Sequence, residues 1–426
     1  MNNKPIQAVI LAGGESSRFW PLNSKHKSLL RIMGKPLIWY TLNELREIGI
    51  DDAIIVQGPS RDAERELENF PLSIKNLRYV VQREPKGMGN AVLSARDYIK
   101  NPFFELHASR INCGNIAKLM IQCQKKTGAK MVLAGERTLT PWLYGVARME
   151  GGRVIEIVEK PAEGREPSNI NVTGVRLLDP GIFKYLETIE GTRSNNDVFE
   201  VAMSQFAAEN DTRIVMFDDN TKSVSFKYPW HLLAARDYLF NKFLTKKQIA
   251  KSAWIAKSAM VEGNVFIGEN VKIYEGAVIK GPCYIGDNSI VGNNSIVRDY
   301  CDLENGAMVG ALCEASRTIF QPDVHVHSGY IGDSILDRGV RVGAGLITAN
   351  VRLDRESISA RVKKEKDGVK ILSKVDTGLK SLGAIIGQNT KIGCRATILP
   401  ARFIGKNCQV GAGSVISRNV DDGQKI

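Results

Sequence analysis

Residues 265–292 read VFIGENVKIYEGAVIKGPCYIGDNSIVG, and an aliphatic side chain returns at every sixth place: Ile267, Ile273, Ile279, Ile285 and Val291. The register runs back to Ile255 and Val261 and forward to Val297, Leu303 and Val309. Four residues after each stands a small or modest side chain: Ala259, Val265, Val271, Ala277, Cys283, Ser289, Ser295, Cys301, Ala307 and Cys313. After an interruption the phase resumes at Ile386, Ile392, Ile398, Ile404, Val410 and Ile416. Neither a helix nor an alternating strand has a period of six. A hexapeptide repeat predicts a parallel β-helix in which six residues form one face and three faces one triangular coil. The aliphatic residue points inward and the small one fills the tighter space beside it. Glycine or asparagine at the corners (Gly268, Asn270, Gly286, Asn288, Gly292, Asn294, Gly387, Asn389, Gly405, Asn407) suits turns that need unusual backbone angles.

The repeat claims residues 251–426 of the 426 and leaves 1–250 for another domain, with the boundary near Lys247–Ser252. Seven cysteines without a Cys-x-x-Cys pair argue against a disulfide framework and a structural zinc site. No uncharged apolar run approaches the roughly 18 residues of a membrane-spanning helix. The chain enters the short apolar run Ala8–Leu11 without a long leader, which predicts a cytoplasmic protein with no membrane partner. The net charge of +12 is spread over both halves, +7 and +5, with no basic stripe beyond Arg361–Lys366. That excludes the usual footprint of a nucleic-acid binder and suits small anionic ligands, or simply solubility.

Residues 6–246 alternate short apolar runs with helical patterns, as in an α/β domain with a mainly parallel sheet. The first run, Ala8 to Leu11, leads into Ala12-Gly13-Gly14-Glu15-Ser16-Ser17-Arg18, with Lys27 downstream. Two glycines let backbone N–H groups approach a phosphate, and arginine adds charge and a forked donor.

The stretch Leu11-Ala-Gly-Gly-x-Ser-Ser-Arg18-x-x-Pro21-Leu22-x(4)-Lys27 resembles the signature of the sugar-1-phosphate nucleotidyltransferases, G-G-x-G-T-R-x-x-P-L-x(4)-P-K. Ser16 replaces the third glycine and His26 the proline before the lysine. Gln82-x-x-Pro85-Lys86-Gly87, Val158-Glu159-Lys160-Pro161 and Val172-Thr173-Gly174 follow in the family's order. The resemblance implies a Rossmann-like α/β nucleotidyltransferase domain with Arg18 and Lys27 catalytic. It implies nucleotide contacts at Leu11, Ala12, Gly13, Gly14, Gln82 and Gly87, and sugar-phosphate contacts at Glu159, Lys160 and Gly174. Its substrates would be a nucleoside triphosphate, or a nucleotide sugar, and a sugar-1-phosphate. Family members hold Mg²⁺ between two aspartates. Here Ser109 and Ser225 stand at those places, so impaired nucleotidyl transfer is expected.

The six-residue pattern itself resembles the left-handed β-helix of hexapeptide acyltransferases, whose prisms form homotrimers and bind acyl-CoA between neighbours. Between the repeat blocks, His325-Val-His327-Ser-Gly-Tyr330-Ile-Gly-Asp333 resembles a motif of bifunctional pyrophosphorylase/glucosamine-1-phosphate acetyltransferases. Gly343-Ala344-Gly345-x-Ile347-Thr348-Ala349-Asn350 matches a second motif, and the charged insertion at 351–380 looks archaeal. The resemblance implies His327 as the base that deprotonates the amine, Tyr330 against the sugar phosphate, Asn350 orienting substrate or histidine, and acetyl-CoA as donor. Arg341 and Ser381 depart from the pattern. His26, His107, His231 and His325 read as structural, and a metal pair of His325 and His327 lacks a third ligand. Three functions follow as expectations: an acetyltransferase with an impaired nucleotidyl half, a non-catalytic regulator of an active homologue, or an active nucleotidyltransferase whose metal ligands come from elsewhere in the chain.

Overall fold

The computed structural model describes residues 6–72, 74–84, 86–189, 198–218, 224, 226–366 and 369–426, the side chains of 364–371 excepted. It divides into two compact units. One holds residues up to Glu15 together with Pro36–Val224, and the other holds Ser16–Lys35 together with the chain from 226 onward.

In the first unit, nine strands among the described residues form one sheet: β1 (Gln7–Ala12), β2 (Asp52–Gln57), β3 (Asn76–Val81), β4 (Phe103–His107), β5 (Met131–Arg137), β6 (Gly145–Glu150), β7 (Arg153–Glu159), β8 (Ile170–Leu178) and β9 (Thr212–Met216). The order is β9-β5-β8-β4-β1-β2-β3, with the β6–β7 hairpin joined to β8. β1 is parallel to both β2 and β4, while β8 runs antiparallel to β4 and β5. Ala8 to Ala12 are buried throughout, the continuous apolar run expected of a strand covered on both faces. The buried Gln7 side chain is satisfied by Asp52 Oδ2 (3.0 Å), the Tyr98 carbonyl (3.1 Å) and the Lys100 N–H (2.9 Å). From β1 the chain proceeds outward to β2 and β3, then returns to β4 on the other side of β1. This reversal makes the carboxyl ends of β1 and β4 the topological switch point, where open α/β sheets bind ligands.

The second unit is a prism of three eight-stranded parallel sheets. Strands repeat 18 residues apart at first, as in Val265↔Cys283 and Ile273↔Val291. The separation then falls to 16, as in Ile319↔Ile335 and Val326↔Val342. These shortened coils, with the inserted arm that sets Val342 and Ile392 50 residues apart, break the six-residue phase. From Ile267 onward the inward aliphatic residues are almost fully buried in one core, a left-handed β-helix of hexapeptide repeats. Cys283, Cys301, Cys313 and Cys408 fill that core, whereas Cys394 is exposed.

The corner residues divide by chemistry. Asn270, Asn288, Asn294, Asn389 and Asn407 take positive φ of 54–59°, as the sequence predicts. Gly268, Gly286, Gly292, Gly387 and Gly405 do not. They are small because the next coil passes too close for a side chain: a Cβ on Gly292 would lie 2.5 Å from the Ala311 nitrogen, and one on Gly405 2.5 Å from that of Asp422.

The outward column of the first prism sheet (Tyr284, Asp302, Ile319, Ile335, Ile385, Phe403) is buried, because other parts of this unit cover it. Phe240 of the helix His231–Phe243 stacks on Tyr300. Trp20 and Trp230 each pack on Phe403 at 6.2 Å between ring centroids. Trp20 Nε1 donates to Asp422 Oδ1 (2.8 Å), and Lys363 Nζ of the antiparallel arm 359–376 lies 4.1 Å above the Trp20 ring. The signature segment 16–35 follows β1 directly in sequence, yet it is packed into the prism's unit.

Candidate functional site

In the prism, His327 follows the strand His325–Val326 at a corner, its N–H bonded to the Val342 carbonyl (3.0 Å) and its imidazole exposed. Among the described residues the ring makes no hydrogen bond. Three residues on, Tyr330 faces outward from the strand Gly329–Gly332. Its hydroxyl lies 3.1 Å from Asn350 Nδ2, which also donates to Asp333 Oδ2 (2.5 Å). A carboxylate only accepts, so this contact fixes which end of the Asn350 amide carries the nitrogen. Asp333 is buried and forked by Arg317 at 2.6 and 2.9 Å, and this pairing pushes the guanidinium's pKa up. A Cβ on Gly332 would meet Tyr330 Oη at 2.5 Å and Asn350 Nδ2 at 2.8 Å, so a side chain there would displace both polar ends. The structure thus joins Tyr330 and Asn350 directly and leaves the His327 ring free of both.

Arg317 is a residue the sequence reading missed. It lies 16 residues before Asp333, one shortened coil earlier on the same corner, so only the change in coil length identifies it. Arg341 forks on Asp323, which also meets His325 Nε2 at 3.2 Å. Ser381 bridges to Val351 at the root of the charged insertion.

In the first unit the Gly13–Gly14 loop leaves β1 at the switch point. A Cβ on Gly13 would sit 3.4 Å from Gln82 Oε1, while Gln82 Nε2 donates to the Gly87 carbonyl (3.2 Å) and Asn90 Oδ1 (2.9 Å). Leu11, Ala12, Gly13, Gln82 and Gly87 therefore share one edge, with Gly14 exposed beside them. Glu159 pairs with Lys160 (2.8 Å), whose backbone is left-handed at φ 45°. A Cβ on Gly174 would lie 2.5 Å from His107 Cδ2 and 2.9 Å from Arg110 Nη2.

Ser109 is buried just after β4, and Ser225 lies outside the described residues. Among the described residues, the donor set near Ser109 does not fit Mg²⁺, which prefers hard anionic oxygens. Ser109 offers a hydroxyl, its neighbour Arg110 a cation. The carboxylate of Glu105 is fully buried against Arg176 (2.5 Å). Among the described residues no three His, Cys, Asp or Glu side chains gather to hold a metal.

Arg18 and Lys27 lie in the second unit's segment. Arg18 is exposed on the turn Ser17–Phe19, and Lys27 Nζ donates to the Phe226 carbonyl (2.8 Å). Beside Lys27, His26 Nδ1 meets Ser28 Oγ (2.7 Å), and burial with the lysine charge lowers its pKa to about 3. His231 accepts from the Lys227 N–H (3.1 Å), and burial lowers its pKa to about 4. Both act as neutral structural acceptors, as expected.

No helix among the described residues is long and apolar enough to cross a membrane. The profile of the Nucleotidyl transferase family matches residues 7–254, and that of the bacterial transferase hexapeptide (six repeats) matches 264–299 and 383–418. A bifunctional sugar-1-phosphate nucleotidylyltransferase/acetyltransferase of Sulfurisphaera tokodaii is 28% identical over 98% of this chain and 99% of its own length. The bifunctional protein GlmU of Methanocaldococcus jannaschii is 27% identical over 98% and 96%. A crystal structure of an apo UDP-glucose pyrophosphorylase aligns with 56% of this chain and 99% of its own at 25% identity and a TM-score of 0.48. The chain belongs to the nucleotidyl transferase family and carries a hexapeptide-repeat β-helix behind that domain.

Proposed function

We propose that the prism transfers an acetyl group from acetyl-CoA to the amine of an amino-sugar-1-phosphate, and that the first half binds a nucleotide, nucleotide sugar or sugar phosphate with little or no nucleotidyl transfer. The observation that carries the first claim is the cluster of Tyr330 on the strand Gly329–Gly332, Asp333 just beyond it and Asn350 bonded to both, which the exposed His327 precedes. His327 presents an exposed imidazole with no hydrogen bond to the described residues, open to a substrate amine as proton acceptor. It takes the proton as the amine nitrogen attacks the thioester carbonyl, and the C–S bond breaks to release CoA. Arg317 and Asp333 hold Asn350 against Tyr330, so both polar ends are set before the sugar phosphate binds. Full-length similarity to proteins named for both activities supports the same reading.

Association as a homotrimer, with CoA between neighbouring prisms, is part of this proposal. The outward column of the third prism sheet supports it: Met260, Val278, Ile296, Glu314, Tyr330, Ile347, Thr397 and Val415 lie in register. Met260, Ile296, Ile347 and Val415 are each 36–64% exposed, an apolar stripe suited to contact with another copy.

The test is release of CoA from acetyl-CoA with glucosamine-1-phosphate. Turnover that falls by about a hundredfold or more in His327→Ala, the usual scale for a general base, supports the reading. No CoA release by the wild-type chain refutes it. The buried Ser109 favours a second reading, a non-catalytic regulator, which co-purification with an active homologue would support.

A further inference from the structure

Three features of the first unit meet at the switch point, and none belongs to the nucleotide-loop motif. β4 ends at His107, and the chain turns through Ala108 and Ser109 to Arg110. The Ala108 N–H bonds to the Leu11 carbonyl (3.1 Å), so this turn lies beside the start of the Gly13–Gly14 loop. Across the sheet, β8 brings Gly174 opposite the turn. The space a side chain would fill there is taken by the Arg110 guanidinium and the His107 imidazole. A side chain at 174 would meet the His107 ring first, at 2.5 Å, and the Arg110 guanidinium next, at 2.9 Å.

Behind them, Arg176 is 5% exposed, bonded to Glu105 and 5.0 Å beneath the Phe199 ring. Arg176 binds one oxygen of the Glu105 carboxylate, and Glu105 and Glu136 both act on the Arg110 charge as well. Burial, and next the charge of Arg176, both lower the pKa of Arg110, against opposing contributions from Cys113, Glu105 and Glu136. The turn is a half-buried cationic position at the ligand edge, beside a serine where a metal-holding carboxylate was expected.

We propose that Arg110 is the chain's own cation for the anionic ligand of this half, holding a phosphate of a nucleotide or sugar phosphate without a divalent metal ion. The proposal rests on the reading that this half binds such a ligand. A guanidinium presents parallel N–H donors that match two phosphate oxygens, and it stays charged even when half-buried. A divalent cation beside it would be repelled. The absence of carboxylates at the turn then follows from the choice of cation.

The experiment is calorimetric titration of the full chain with ATP, GTP, CTP, UTP, dTTP and glucose-1-phosphate, in excess EDTA and again in millimolar Mg²⁺. The ligands that bind are expected to keep their Kd within about twofold between buffers. Arg110→Met should weaken them about tenfold or more, and Arg110→Lys, charged but unforked, should fall between. Ser109→Asp, placing a carboxylate beside the guanidinium, should weaken binding in EDTA, which covers the case of a misfolded Arg110→Met. Binding that requires Mg²⁺, or that survives Arg110→Met unchanged, overturns the proposal while leaving the parent reading intact. Absence of binding by every probe in both buffers refutes the parent reading and the proposal with it.

Discussion

Replacing Glu304 by glutamine should change how the stability of the prism's unit depends on pH. Asp302 and Glu304 are both fully buried on the first prism sheet. They accept the N–H groups of Met33 (3.3 Å) and Gly34 (2.9 Å), so they anchor the segment that carries Arg18 and Lys27. Burial pushes both carboxyls up, Glu304 to about 7, while the charges of Arg31 and Arg338 and the Gly34 N–H resist the shift. Its ordinary value is 4.5, so between pH 4.5 and 7 the folded chain holds a proton that the unfolded chain has released. Stability contributed by Glu304 is therefore complete below pH 4.5 and is lost as pH rises to 7. At 1.36 kcal/mol per unit, the loss over that window is about 3 kcal/mol. Glutamine keeps an acceptor for the Gly34 N–H but cannot ionise. Urea denaturation of both proteins from pH 5 to 8 should show Glu304→Gln gaining on the wild type as pH rises, mostly below pH 7. Parallel stability curves would refute the reasoning.

Trp20→Ala should loosen the whole segment 16–35, since it removes the contacts to Phe403, Asp422 and Lys363 together. Loss of a buried tryptophan costs about 3–5 kcal/mol, and faster hydrogen exchange across residues 16–35 should report it. A chain ending at 250 should show the same fast exchange there. In the first unit, Glu105→Leu should destabilise by about 3–5 kcal/mol because it strands the Arg176 charge, and adding Arg176→Met should recover most of the loss in urea melts.

The prism was legible because a period of six has no competing local explanation, and the positions from Ile267 to Ile416 are buried as the phase requires. That Gly13 and Gln82 lie together was legible because the two motifs that carry them follow the family's order along the chain, and the structure brings them to one edge. What the sequence could not reveal was contact at long separation. Trp20 meets Asp422 across 402 residues, and Gln321 bonds to the Arg31 backbone across 290. No local pattern encodes either, so 16–35 read as part of the first domain. Arg317 stayed hidden because its partner lies one shortened coil away, in the stretch where the period fails. The corner glycines were identified correctly as special, but for the wrong reason: crowding by the next coil, not backbone handedness, excludes a side chain.

The central claim is that one half of this chain catalyses acetyl transfer while the other binds its ligand without turning it over. Mass spectrometry of a single incubation with acetyl-CoA, glucosamine-1-phosphate, the five nucleoside triphosphates and Mg²⁺ tests it most directly. The account predicts a sugar phosphate heavier by one acetyl group, absent with His327→Ala, and no nucleotide sugar or pyrophosphate. A nucleotide sugar formed with no acetylated product would contradict it.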